Sequence, residues 1–207
     1  MSLRTQKTAR KKEKILQSAL TVLAEKGYHG TTMEDIASHL LMTKGSLYYY
    51  FKDKQELVYE SQVKLLNQSI ENVKTISEAG TLASDKLIGM IRIHTKYLIK
   101  NQSGFELMNK PEVIFSEEQL QEIFRLREQY AEYYDKLLAE GVEDGSFTIQ
   151  EDEIKIVRNI ILGALNWVTQ WYSPQGYKSI NDFVEAITKY VLRIVDLNEG
   201  FLQELNN

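Results

Sequence analysis

Between Thr43 and Lys54 the chain reads TKGSLYYYFKDK, a run whose side chains suit recognition of a polyanion better than bond-making. Lys44 is long enough to reach guanine O6 or N7, or a phosphate. Gly45 carries no side chain and lets a helix come close to a DNA backbone or a thymine methyl. Tyr48 and Tyr49 offer phenolic donors to phosphates and ring faces to sugars and methyls. Lys54, beside Asp53 at a helix start, combines a cation with free backbone N–H groups, a phosphate-binding arrangement. Catalytic chemistry has no comparable support. His29, His39 and His94 are scattered without metal-ligand spacing, and there is no GxGxxG, GxxxxGK or nucleophile elbow. The absence of cysteine excludes disulfides and thiolate metal sites. Glu117-Glu118 and Asp152-Glu153 stand where helix dipoles favour acids. The sequence thus predicts no enzyme, no metal site and no cofactor.

Charge is divided along the 207 residues in the same sense. The net charge of −4 is the sum of +5 up to Lys54 and −9 beyond it. A small basic module feels the field of a polyanion locally, while an acidic body keeps the remainder away from it. Arg4, Lys7, Arg10, Lys11 and Lys12 form either an arm along phosphates or the minor groove, or a solvating tail. A composition 43% hydrophobic supports a buried core. No signal peptide and no span of about 20 apolar residues is found, so a cytoplasmic protein with no membrane partner is expected.

The elements that must position these residues are helical. Two prolines and near-continuous helical periodicity predict an all-α fold. A first helix spans about Thr8 to Lys26 and stops at Gly27. Thr32 with Asp35 forms a capping-box signature, and Met33, Ile36, Ala37 and Leu40 give a short amphipathic helix. After a break at Leu41 and Met42, Thr43 caps another short helix running to about Phe51. Asp53 with Glu56 opens a long one from Lys54 toward Glu78. Further helices are expected over Ser84–Lys100, Glu117–Glu140, Asp152–Tyr172 and Ile180–Leu197. The division is a DNA-binding domain over 1–53 and a helical ligand-binding and dimerisation domain over 54–207.

On a helical wheel at about 100° per residue, Lys44, Gly45, Tyr48 and Tyr49 share one arc, while Leu47 and Phe51 lie to one side. Tyr50 falls at the boundary. Two short helices, a tight turn and that outward face make a helix-turn-helix, whose second helix enters the major groove. The run TTMEDIASHLLMTKGSLYYYFKDKQELV resembles the DNA-binding module of the TetR family of bacterial repressors. The match rests on Thr32, Ile36, Ala37, Thr43, Gly45, Ser46, Leu47, Tyr48, Tyr50, Phe51, Lys54 and Leu57. The resemblance implies an N-terminal three-helix reader of double-stranded operator DNA, a C-terminal helical ligand and dimer domain, and repression relieved by a small molecule. Carried over by position, its DNA contacts are Thr32, Thr43, Lys44, Gly45, Ser46, Tyr48, Tyr49, Tyr50 and Lys54. One departure is Leu41, where the family usually has glycine. Either Leu41 takes a left-handed backbone, at about 1–2 kcal/mol, or the turn is rebuilt.

In the body, the last helix carries one seam of Phe183, Ile187, Tyr190, Ile194 and Leu197 and a second of Val184, Val191 and Val195. Two stripes suit burial on the chain's own core and on another chain. The preceding helix behaves alike, with Gly163 and Ala164 allowing close approach. A homodimer is expected, with Ile160, Gly163, Ala164, Phe183, Ile187, Tyr190 and Ile194 at the interface; reading heads about 34 Å apart would then suit a palindromic site. His94, Tyr97, Tyr130, Tyr134, Asn166, Trp167, Gln170 and Trp171 are the candidate ligand residues, polar and aromatic groups on largely apolar helices. NWVTQWYSPQG is similar to the C-terminal signature of members that sense fatty acyl-coenzyme A. That likeness implies an acyl-CoA-like hydrophobic effector with Arg92, Arg125 or Arg158 near its phosphates; a broad sensor of hydrophobic drugs and a constitutive architectural dimer are the alternatives.

Overall fold

The computed structural model of the chain describes residues 3–106, 110–176 and 179–195. Leu197, assigned above to the last apolar seam, lies outside them. Among the described residues run α1 (Leu3–Gly30), α2 (Met33–His39), α3 (Lys44–Tyr48), α4 (Lys54–Ser77), α5 (Ala83–Lys100), α6 (Gln102–Glu106), α7 (Glu117–Glu143), α8 (Ile154–Trp171) and α9 (Ile180–Leu192). The all-α expectation holds. α6, too short for a periodic signal, is the helix that the spacing of apolar residues does not announce.

The chain forms two compact units, Met1–Asn67 with Gln102–Arg125 and Gln68–Asn101 with Leu126–Asn207. The first is built around α1, whose buried Ile15, Leu16, Ala19, Val22 and Leu23 recur at helical spacing. Met33, Ile36 and Ala37 of α2, Leu47 of α3, and Phe51, Leu57 and Val58 are buried with them, as are Leu65, Leu66, Phe115 and Ile123. Lys12 bonds Glu60 at 2.8 Å, and Lys64 bonds Glu13 at 2.7 Å, tying α1 to α4. The helix α1 is interrupted where its stop is predicted. Gly27 sits at φ 70°, ψ 169°, a region open in practice to glycine alone. The Thr31 hydroxyl then donates to the Gly27 carbonyl at 2.8 Å.

Local chemistry sets the helix starts. Thr32 accepts from the Asp35 amide while Asp35 accepts from the Thr32 amide, a complete capping box for α2. Thr43 accepts from the Ser46 amide at 3.2 Å and opens α3. The Glu56 amide donates to Asp53 at 2.7 Å, and the Lys52 amide to Glu56 at 2.6 Å, so α4 is capped as its sequence suggests.

The turn between α2 and α3 settles the alternative posed by Leu41. Its φ is +52°, so leucine accepts the left-handed backbone. Around it, the Leu41 amide donates to Ser38 O at 3.0 Å and the Met42 amide to Ala37 O at 2.8 Å. Those two bonds are the Schellman pattern that glycine usually serves. The Leu41 side chain is 96% exposed, so packing returns nothing for the strain. Leu41→Gly removes about 1–2 kcal/mol of strain and adds about 0.5–1 kcal/mol of unfolded-state entropy. The expected result is a gain of about 0.5–1 kcal/mol, read as a higher midpoint in urea unfolding with an unchanged slope; a lower midpoint would show that Leu41 is held by more than its backbone.

In the second unit, Leu87, Met90, Ile91 and Leu98 of α5 are buried, as are Val157, Ile161, Leu165 and Val168 of α8 and Phe183, Val184, Val191 and Leu192 of α9. At the start of α5 the Ala83 amide donates to Asp144 at 3.2 Å, and Lys86 bonds Glu140 at 2.6 Å. Among the described residues no helix is long and apolar enough to cross a membrane, and none of their His, Asp and Glu side chains cluster to hold a metal ion.

Candidate functional site

The outward face of α2 and α3 assembles most of the residues that the sequence singles out. Thr32, Thr43, Lys44, Gly45, Ser46, Tyr48 and Tyr49 are exposed, and Tyr49 is so by 73%. Leu47 and Phe51 point the other way, at 0% and 1% exposure. The two sides of this five-residue helix are therefore as the wheel predicts. A Cβ added at Gly45 would meet nothing within 4 Å, so the space before this face is open to a groove wall. Tyr50 is half-buried and packs edge-on against Tyr49, ring centroids 5.1 Å apart.

Two cations of this region are held in ways the sequence does not reveal. Lys44 forms an ion pair with Glu34 of α2 and lies over the Tyr48 ring at 5.8 Å from its centroid. The hydrogen bond to Glu34 raises the lysine's pKa and lowers that of the carboxyl. Both side chains remain more than half exposed, so the pair is readily exchanged for a base edge or phosphate. Glu34, which sequence reasoning did not single out, thus borders the site from the first turn of α2.

Lys54, expected as a phosphate contact, has partners within the chain. Its ammonium donates to Tyr28 O at 2.5 Å and Thr31 O at 2.7 Å, and lies 4.3 Å from the Tyr28 ring centroid. Partial burial lowers its pKa. Both carbonyls follow the break at Gly27, and the ammonium supplies each with a hydrogen-bond donor. Lys54→Met should lower stability by about 1–3 kcal/mol through the two carbonyls left without it. Operator affinity should fall with it, but the slope of log K against log salt should stay the same. A lost phosphate contact would instead reduce that slope by about one, and that result would return Lys54 to the DNA.

Lys12, from the basic cluster, is also committed, to Glu60 and to the Phe51 ring at 5.1 Å. Lys7 and Arg10 are exposed on α1. Nothing is described of the Arg4 side chain.

In the second unit the structure separates the candidate ligand residues into two groups. His94, Tyr130 and Tyr134 come together in the interior. His94 Nδ1 lies 2.5 Å from Tyr130 Oη and 3.4 Å from Tyr134 Oη, and the two hydroxyls are 3.5 Å apart. Burial pushes the imidazole down to about 4, opposed by the Asn166 side chain, and pushes both phenols up. Tyr97 is half-buried, and burial raises its hydroxyl to about 12. Asn166 approaches the ring, but no described group closes a hydrogen bond of normal geometry on His94 Nε2.

Trp167, Gln170 and Trp171 are exposed on the single chain, on the side of α8 that carries Ile156, Ile160, Gly163 and Ala164. Spacings of three and four residues put all of these on one stripe. Trp167 is 61% exposed. Of the remaining residues expected at an interface, Tyr190 of α9 is 63% exposed, Ile187 and Ile194 are half-buried, and Phe183 is fully buried. Trp171 and Tyr172 pack on Phe183, with ring centroids 5.4 and 4.8 Å away. Phe183 thus packs against the C-terminal end of α8 within the chain, while Trp167 and Trp171 are exposed.

Each arginine considered for phosphate binding has carboxylate partners. Arg92 bonds Glu185 at 2.5 Å, Arg125 bonds Glu122 through two nitrogens at 2.7 and 2.8 Å, and Arg158 lies 3.4 Å from Asp135 and 3.8 Å from Glu128.

Residues 15–60 match the family described as bacterial regulatory proteins, tetR family, and residues 80–195 match the tetracyclin repressor-like C-terminal domain. The HTH-type transcriptional repressor KstR2 of Mycolicibacterium smegmatis is 28% identical over 201 residues, which cover 93% of this chain and 94% of that protein. The fatty acid metabolism regulator protein of Bacillus subtilis is 28% identical over 160 residues, 76% of this chain and 81% of the relative. A solved structure, the TetR family transcriptional regulator PfmR from Thermus thermophilus, superposes with a TM-score of 0.78 at 27% identity, covering 86% of this chain and 97% of that one.

Proposed function

Because the chain belongs to the TetR family of bacterial regulatory proteins, we propose that it is a repressor that binds a palindromic operator as a homodimer and leaves it when a small hydrophobic effector binds. It is a transcriptional regulator and not an enzyme. The observation that carries the DNA reading is the exposed face of Lys44, Gly45, Tyr48 and Tyr49, held from behind by buried Leu47 and Phe51. Within it, Lys44 at the start of α3 reads base edges, and Tyr48 and Tyr49 position the helix through phosphates and sugars. The α8 stripe supports the dimer, since a row of tryptophan, isoleucine and small residues left in water is an interface awaiting a second copy. The site of action is the cytoplasm, where the operator is.

An acyl-coenzyme A thioester is the favoured effector class. The relative named as a fatty acid metabolism regulator supports an acyl-derived ligand, and the buried cluster of His94, Tyr130 and Tyr134 brings aromatic faces together with a few polar atoms. Since α4 contributes to both compact units, a rearrangement around a ligand reaches the reading head along one continuous helix.

The test is to select binding sites from random duplex DNA with the purified protein, then titrate the complex with dodecanoyl-coenzyme A. A palindromic site from which the thioester displaces the protein is the expected result. A site held unchanged by dodecanoyl-coenzyme A and by hydrophobic dyes alike identifies a constitutive architectural dimer, and release by the dyes alone a multidrug-type sensor.

A further inference from the structure

The polar cluster inside the second unit has a chemical selectivity of its own. His94 is 8% exposed, yet its Nε2 carries no completed hydrogen bond among the described residues. An apolar chain alone would be served by aliphatic lining, and a buried polar atom left unmatched works against folding. The ring is nevertheless firmly placed. Tyr130 holds Nδ1 at 2.5 Å, and the Tyr130 and Tyr134 rings flank the imidazole at 5.5 and 6.4 Å between centroids. A phenol that donates to Nδ1 leaves the proton of a neutral imidazole on Nε2, which makes that atom a hydrogen-bond donor.

The cluster also lacks charge. The ring's neighbours are two phenols and the Asn166 amide, and burial keeps the imidazole neutral, its pKa pushed to about 4. In the same unit Arg92 and Arg158 are already matched to Glu185 and to Asp135 with Glu128. An ionised carboxylate or phosphate drawn to this cluster would lose its water with no counter-charge in return. An uncharged oxygen acceptor fits.

We propose that His94 Nε2, on a ring set by Tyr130, donates to the carbonyl oxygen of the effector's acyl thioester, so that the protein distinguishes the thioester from both the free acid and a carbonyl-free chain. The inference rests on the acyl-effector reading above. Tyr130 is a positioning residue in it, and His94 the contact.

Calorimetric titration of the full-length protein with dodecanoyl-coenzyme A, with S-dodecyl-coenzyme A, a thioether lacking the carbonyl, and with dodecanoate tests it. Wild type should bind the thioester about tenfold more tightly than the thioether, the yield of one hydrogen bond, and more tightly than dodecanoate. In His94→Leu the two coenzyme A ligands should bind within about twofold of each other, with the thioether's affinity little changed. Tyr130→Phe should shrink the gap without abolishing it. It serves as the second variant if His94→Leu does not give the helical circular dichroism of wild type, and an undiminished gap in Tyr130→Phe would then overturn the proposal. Equal binding of thioester and thioether by wild type, an undiminished gap in His94→Leu, or dodecanoate bound as tightly as the thioester overturns the role of His94 and leaves the effector class standing. No binding of either coenzyme A ligand overturns the effector class, and this inference with it.

Discussion

Trp167→Glu is expected to give a 24.0 kDa species in sedimentation velocity at micromolar concentration, where wild type is expected to sediment as a dimer. Trp167 is 61% exposed on the single chain, in line with Ile156 and Ile160, which are 60% and 50% exposed. Gly163, where an added Cβ would meet nothing within 4 Å, allows a second helix to approach closely. A carboxylate in the middle of that stripe would be buried unpaired twice over, because a two-fold interface carries the same residue from each chain. Operator affinity should fall by about 100-fold or more, since each head then binds its half-site without the effective concentration supplied by the other. Stability of the monomer should change by only about 0.5 kcal/mol, as for other exposed positions. A Trp167→Glu protein that still sediments as a dimer would place the interface elsewhere.

Phe51→Ala and Tyr49→Ala should have opposite consequences although the two aromatic residues are neighbours. Phe51 is 1% exposed, packed beneath the reading helix with the Lys12 ammonium 5.1 Å from its ring centroid. Its truncation leaves a cavity costing about 3–5 kcal/mol, a large part of the roughly 5–15 kcal/mol that holds a domain together. The thermal midpoint should drop on the order of 10 °C, and operator binding should be lost at temperatures where wild type binds. Tyr49 is 73% exposed. Its removal should leave the thermal midpoint within about 2 °C and weaken binding to all DNA sites similarly, as loss of a backbone contact does. Equal loss of stability in both variants would mean that Tyr49 is part of the core and not of the reading face.

Much of the fold is legible in the sequence because it is written by local rules. Helical spacing places Ile15, Ala19, Val22 and Leu23 on one side of α1 whatever lies opposite. The hydroxyl of Thr32 caps α2 because Asp35 is three residues away, and Gly27 interrupts α1 because its backbone angles suit no other residue. The same rules find the two faces of TKGSLYYYF, where Leu47 and Phe51 alternate with exposed residues at intervals that only a helix satisfies. At Leu41 they predict a conflict but cannot resolve it. The strain of a left-handed leucine is of the same size as the hydrogen bonds that Ser38 and Ala37 offer to the turn, so the balance depends on how α2 and α3 are already held.

What only the tertiary structure decided are the partners across space. Spacing shows that Ile160, Gly163, Ala164, Trp167 and Trp171 share a face; it does not show that the rings of Trp171 and Tyr172 meet Phe183 of α9. It likewise gives Lys54 a reach of several ångströms without saying whether a phosphate or the end of α1 lies within it. A side chain's type and its position along a helix are local properties, fixed by the order of the residues. The group it meets is fixed by elements distant in the chain, and only their packing brings His94 to Tyr130 or Lys54 to the carbonyls of Tyr28 and Thr31.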